Sequence, residues 1–243
     1  MRDWRNPEDY RFARSLSADQ WAWEFLRRNP VYRKAWHDFI ATWRALEAAY
    51  GKTGQRDVQA WKRDPRATVP AAECSGSDCR IEGERVLIEC ALGAQWGFYK
   101  FPPDPADDDP VGGGRLVWRE VTWETGLLEP GQACPASAQT AAVAFDLGLP
   151  LAPQLEQAKR RLQIEQRRRI ERDLVAAPRI EAHVERLCRL LRLLDGAEAG
   201  ADAGTLALAT APDPAGGGTA PVEMLEQAQA LRDGGYRRLL LLK

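Results

Sequence analysis

Apolar positions in the first fifty residues recur at helical spacing, and an Asn-Pro step cuts them into two helices. Ser17 is a suitable N-cap, so a helix is expected over residues 18–28. Asn29 precedes a proline, which disfavours the α region for its backbone and ends that helix. Pro30 suits the first position of a second helix, expected to run to about Tyr50 and to stop at Gly51. Trp21, Phe25, Trp36, Phe39, Ile40 and Trp43 are spaced to build an apolar face. Trp23 falls off that face and is expected to be exposed, as an anchor for a partner. Residues 51–80 are polar and punctuated by Gly51, Gly54, Pro65 and Pro70, the pattern of a loop. The run Arg85-Val-Leu-Ile-Glu-Cys-Ala-Leu92 is too short to separate a strand from a buried helical turn. Leu116-Val-Trp-Arg-Glu-Val-Thr-Trp123 alternates as a half-buried strand does.

Beyond a small, polar stretch the pattern turns helical again. Phe145-Asp-Leu-Gly-Leu-Pro-Leu-Ala-Pro153 reads as an extended lead-in whose last proline opens a helix expected over residues 154–174, ended by Pro178. Its apolar stripe (Leu155, Ala158, Leu162) is narrow and fades, so most of this helix belongs on the surface. Ile180, Val184, Leu187, Cys188, Leu191 and Leu194 form a strong helical face, with Gly196 as the expected stop. A short helix over 203–210, a Pro/Gly-rich turn over 212–221 and a third helix over 222–233 follow. Three helices with a short middle one is the layout of a helix-turn-helix bundle. The fold class expected is mostly α with a small β portion. Its parts are a Trp-rich N-terminal domain over 1–123, a linker over 124–144, and a helix-turn-helix-like domain with a basic lead-in helix over 145–243.

Charge sharpens this picture. The net charge is only −1, but residues 1–66 carry +5, 67–150 carry −8, 151–194 carry +5 and 195–243 carry −3. A basic block can meet a polyanion whatever the total, because a phosphate responds to the local field. The densest block lies on the 154–174 helix, where Arg160, Arg161, Arg167, Arg168, Arg169 and Arg172 accompany Lys159. No apolar run reaches the roughly 18 residues needed to span a bilayer, and no signal-peptide core begins the chain, so a cytoplasmic protein with no membrane partner is expected. Five cysteines, an odd number, argue against a complete disulfide framework, and a single Cys74/Cys79 pair is a poor start for a zinc site.

Two resemblances enter here. The string Trp21-Ala-Trp-Glu-Phe-Leu-Arg-Arg-Asn-Pro-Val-Tyr-Arg33 resembles the hallmark of an N-terminal transcriptional regulator-like domain carried by proteobacterial mobile-element regulators. Leu190-Leu-Arg-Leu-Leu-Asp-Gly-Ala-Glu-Ala-Gly-Ala201 and Gly234-Gly-Tyr-Arg-Arg-Leu-Leu240 are similar to the two ends of a variant helix-turn-helix domain. That domain often follows the first one in regulators of integrative and conjugative elements. The resemblances imply transcriptional control of element excision or transfer, by activation or by antiactivation.

The third helix departs from a DNA-reading pattern, for it offers Arg232 against Glu223, Glu226 and Asp233. Its polar readers are Gln227 and Gln229, flanked by carboxylates that repel a phosphate backbone. The candidate DNA contacts are therefore Arg160, Arg161, Arg167, Arg168, Arg169, Arg172, Gln227, Arg232, Arg237 and Arg238, for double-stranded DNA as partner. The candidate contacts to another transcriptional regulator are Trp23, Arg27, Arg28, Glu223 and Glu226, the alternative being an antiactivator that binds such a partner without reading DNA. Enzyme constellations are missing: there is no phosphate-binding loop, nucleophile elbow or His-Glu-x-x-His pair, and only His37 and His183 could carry imidazole chemistry. No catalytic residue, metal, cofactor or small-molecule substrate is expected.

Overall fold

A computed structural model of the 243-residue chain describes all residues except 1, 53, 75–79, 82–83, 111, 113–115, 122–127, 129–131, 135–136, 211–220 and 243. The fold is mostly α with a small three-stranded sheet. A 3₁₀ helix, Pro7–Ser15, leads into α1 (Ala18–Leu26), where the amide of Ser17 donates to Gln20 Oε1 at 2.9 Å. The Asn-Pro corner forms as expected. Asn29 Oδ1 accepts from the amides of Val31 and Tyr32 at 2.8 and 2.9 Å, and α2 runs Pro30–Tyr50 to a left-handed Gly51 at φ 91°.

Between 51 and 96 the chain is more ordered than a loop. Asp57 caps α3 (Val58–Arg63), and Asp64 caps a following 3₁₀ turn, Pro65–Ala67. β1 (Thr68–Pro70) and β2 (Arg80–Ile81) pair antiparallel on either side of β3 (Arg85–Leu87), with Val69 opposite Val86. The ambiguous run at 85–92 is both things, for β3 passes directly into α4 (Ile88–Trp96). Phe39, Trp43, Leu46, Trp61 and Ala67 form the core that joins α2 to this region. Among the described residues the strand expected from Leu116 is not formed: Trp118 makes an isolated bridge to Phe98 and stacks on its ring at 4.2 Å. Residues 122 and 123 of that expected strand lie outside the described residues.

Residues 1–121 and 184–243 make one compact unit, and 122–183 make another, a partition drawn differently from the division of the sequence into 1–123 and 145–243. In the first unit α6 (Val184–Glu198), α7 (Ala203–Thr210) and α8 (Pro221–Arg232) pack on one another, α6 packs on Pro7–Ser15, and the 3₁₀ segment Gly235–Leu241 packs on α1. The turn expected at 212–221 lies, apart from Pro221, outside the described residues. Gly196 does not end α6. That role falls to Gly200 (φ 78°), with Ala201 N donating to Gly196 O and Gly200 N to Ala197 O, each at 3.0 Å. Gly196 is instead inside the helix because nothing larger fits: a Cβ there would stand 2.5 Å from Leu206 Cδ2 and 2.9 Å from the Trp4 ring.

The second unit is built on α5 (Leu151–Glu171), which begins three residues before the expected start and keeps Pro153 in its first turn. It stops ahead of Pro178 because Asp173 adopts the left-handed conformation (φ 56°), while the amides of Asp173 and Leu174 bond Ile170 O and Arg169 O at 3.0 and 2.9 Å. Gln154 Nε2 donates to Asp146 O at 2.9 Å, and Arg169 donates to Ala138 O and Thr140 O at 2.8 and 2.7 Å. Residues 138–149 therefore run back along the helix as an extended strap.

We expect Gly196→Ala to destabilise the protein by about 1–3 kcal/mol through overpacking. The check is a lower urea midpoint at an unchanged slope. An unshifted midpoint would mean that Trp4 and Leu206 yield freely.

Candidate nucleic-acid interface

The basic helix α5 is the most exposed long element described, with only Ala158 buried along its 21 residues. At about 100° per residue, Arg160, Arg161, Arg167 and Arg168 gather on the side away from Leu155, Ala158 and Leu162, while Arg172, at the end of the helix, falls nearer Ala158. Arg168 reaches Glu165 at 3.5 Å and Arg169 reaches it at 2.9 Å, and these hydrogen bonds, Arg169's first, hold the Glu165 carboxyl below its ordinary value. Among the described residues no carboxylate lies within 4 Å of Lys159, Arg160, Arg161, Arg167 or Arg172. Arg169 differs from the others: its guanidinium clamps the strap and is committed inward.

The C-terminal candidates are placed otherwise. Gln227 accepts from Arg186 at 2.8 Å, Arg232 pairs with Asp233 at 2.7 Å, and Arg237 donates to Gln95 O at 2.7 Å, while Arg238 is exposed. Glu223 and Glu226 are exposed and Met224 and Ala228 face the core, so the outward side of α8 is acidic. Neither histidine is set up for acid–base work, since His37 is exposed on α2 and His183 lies 3.1 Å from Ala177 O. Burial pushes the Cys188 thiol up to about 11, aided by Glu185, which leaves it protonated and unreactive at neutral pH.

The tryptophan-rich string turns inward almost entirely. Trp23 is only 1% exposed, which corrects its expected role as an exposed anchor. Its indole N–H donates to Asp107 O at 3.1 Å, and its ring meets Tyr32 and Phe98 edge-on at 5.9 and 6.3 Å. A second apolar surface, made by α2 and the Phe98 segment, covers the side of α1 that periodicity alone leaves open. Arg27 and Arg28, expected at a partner interface, are also used internally. Both pair with buried Glu24, at 2.9 and 2.6 Å, and Arg28 reaches across to Asp195 on α6 at 2.5 and 2.9 Å. Tyr10 adds its hydroxyl to Asp195 at 2.6 Å. Arg33 pairs with Glu198 and donates to Arg27 O at 2.8 Å, and Asn29 Nδ2 donates to Arg232 O and Asp233 Oδ1 at 3.2 and 3.1 Å. Tyr32 closes the set with a 2.5 Å bond to Pro103 O.

Residues 3–65 match the proteobacterial transcriptional regulator-like domain. The match takes in α1, α2 and the whole tryptophan-rich string, about a quarter of the chain. No curated protein and no solved structure matches the chain. The conspicuous residues of this regulator-like segment thus serve as its fastening to the C-terminal helices, and the acceptors Asp195, Glu198 and Asp233 were not singled out from sequence as part of any site. Asp195 and Glu198 stand three apart on α6 and meet Arg28, from the turn after α1, and Arg33, from α2; a carboxylate pair alone does not name such partners.

The Arg28–Asp195 contact has a definite pH signature. Burial raises the Asp195 carboxyl pKa, but the hydrogen bonds and charge of Arg28, with the Tyr10 hydroxyl, more than offset it and hold the group below its ordinary value. A depressed folded pKa contributes stability above the unfolded carboxylate value of about 4, lost as pH falls through the folded one. We expect Asp195→Ala to cost about 3 kcal/mol, because buried Arg28 keeps only Glu24. Urea midpoints from pH 7 to 3 should fall less steeply for the variant than for the wild type. Equal acid slopes would remove Asp195 from the account.

Proposed function

We propose that the chain is a transcriptional regulator that acts by binding duplex DNA, with Arg160, Arg161, Arg167, Arg168 and Arg172 of α5 as phosphate contacts. The observation that carries this reading is the exposed arginine face of α5, most of it without a carboxylate partner among the described residues. Guanidinium groups suit phosphate because their planar fork donates two parallel bonds to one anion and never loses its charge. The match of residues 3–65 to a regulator-like domain supports the regulatory class. The setting, control of excision or transfer of an integrative and conjugative element, rests on the resemblances of Trp21 to Arg33, Leu190 to Ala201 and Gly234 to Leu240. In this reading α6, α7 and α8 correspond to the variant helix-turn-helix, and α8 is not its reading element.

A second reading is favoured by one observation on α8. Its outward Glu223 and Glu226, with Gln227 and Arg232 engaged internally, make an acidic face suited to a basic partner regulator. The protein would then be an antiactivator that docks through α8.

Fluorescence anisotropy on a labelled promoter duplex from the source element tests the first reading. The variant Arg160→Gln, Arg161→Gln, Arg167→Gln and Arg168→Gln should lower the slope of log affinity against log salt by about 3 to 4, since each phosphate contact contributes about 0.9. Wild-type affinity in this variant would sink the α5 reading. The pair Glu223→Lys and Glu226→Lys separates the alternatives: tighter DNA binding in that variant would move the duplex onto α8.

A further inference from the structure

At the centre of the α5 basic face stands an apolar side chain that neither helix stability nor packing explains. Ile164 is 65% exposed on a helix whose other large apolar residues lie toward the strap side or at its ends. Arg160 and Arg161 lie four and three residues before it, and Arg167 and Arg168 three and four after it. On a helix these four positions are its nearest surface neighbours. Each arginine carries an aliphatic stem able to lie over an apolar neighbour, yet the isoleucine remains open. All four arginines are exposed, Arg168 reaching Glu165 at 3.5 Å, and their positions surround one bare aliphatic group. A β-branched residue is also a poorer choice for a solvated helix site than the alanine, glutamine or arginine used beside it.

We infer that Ile164 reads base identity in the major groove of DNA, by apolar contact with the 5-methyl group of thymine. This rests on the reading of α5 as the duplex-binding helix and adds to it a residue that discriminates between sequences. The dimensions agree. Arg160 with Arg167, and Arg161 with Arg168, form two rows about 100° apart around the helix axis, on either side of Ile164. Extended guanidiniums in those rows stand on the order of 10 Å apart, close to the roughly 12 Å major-groove width. The rows would then meet the phosphates bordering the groove while the residue between them faces its floor. Among the base edges only the thymine methyl, in that groove, is aliphatic. The arginines bring affinity without sequence information, whereas the isoleucine distinguishes thymine from the other bases. A carboxylate-bearing protein with an apolar anchor fits the same ring less well, because arginine forks arranged in two parallel rows match two parallel lines of phosphate.

The experiment selects duplexes from a pool randomised over 20 base pairs, using the full chain, and then exchanges thymine for uracil in the best duplex. Uracil keeps the hydrogen-bonding edge and removes only the methyl group. The wild type is expected to enrich a thymine-containing word and to lose about fourfold in affinity on the exchange, the worth of one buried methyl. Ile164→Ala should still bind duplex DNA with the wild-type salt slope but lose at least most of the uracil discrimination. Duplex binding in which uracil exchange affects both proteins equally, or neither, overturns the role of Ile164 and leaves the α5 reading standing. Failure of the wild type to retain any duplex at low salt overturns both, and assigns the ring to a protein partner.

Discussion

The contact between Arg28 and Asp195 is the constraint on which the rest of the larger unit depends. One partner belongs to the regulator-like segment near the N-terminus, the other to a helix some 167 positions later. A guanidinium buried to this depth is stable only if its charge is met on more than one side, and here Glu24 and Asp195 meet it together. Both carboxylates must be in place, so α1 and α6 have one permitted relative position. Tyr10 gives Asp195 a further donor and draws the Pro7–Ser15 turn onto the same point. Gly196, one residue on, lets Trp4 and Leu206 close against α6. Charge pairing and steric fit are thus set by adjacent residues of one helix.

Around that point the string Trp21 to Arg33 distributes its work by residue type. The aromatics Trp21, Trp23, Phe25 and Tyr32 fill space, and their edge-on and stacked contacts orient α1 against α2 and Phe98. Asn29 serves twice, capping α2 with its oxygen and holding the end of α8 with its nitrogen. Arg33 and Glu198 repeat at the rim what Arg28 and Asp195 do in the interior. Because these cations are consumed internally, the basic balance of residues 1–66 is not available to a polyanion in proportion to its size. The opposite holds for α5, whose smaller excess of +3 over Leu151–Glu171 faces solvent. The segment with the smaller net charge is therefore the one with more of it open to a partner.

Much of the fold was legible from local rules, and the candidate site less so. The Asn29-Pro30 corner, the extent of α2, the three C-terminal helices and the surface character of α5 follow from proline geometry, capping and apolar spacing, which act over a few residues. Arg160, Arg161, Arg167, Arg168 and Arg172 could be singled out because a narrow apolar stripe leaves a helix little to bury. Gly196 was expected to end α6 because glycine so often does, and only the approach of Trp4 and Leu206 shows why it lies inside the helix instead. The helix at Val58–Arg63 was hidden by its shortness, and its apolar residue Trp61 finds its partners on α2.

The amino-acid sequence by itself determined the longer helices, the Asn29-Pro30 corner and which segments are charged, because those properties arise from neighbours along the chain. Tertiary structure alone decided which charges remain for a partner. Trp23, Arg27 and Arg28 resemble an interface in sequence because exposure cannot be read from residue type. They are interior because Glu24, Asp195 and Phe98 arrive from one turn, one distant helix and one distant loop to cover them. Ile164 is the converse case. Its type suggests burial, and its exposure among four arginines becomes visible only in the folded helix.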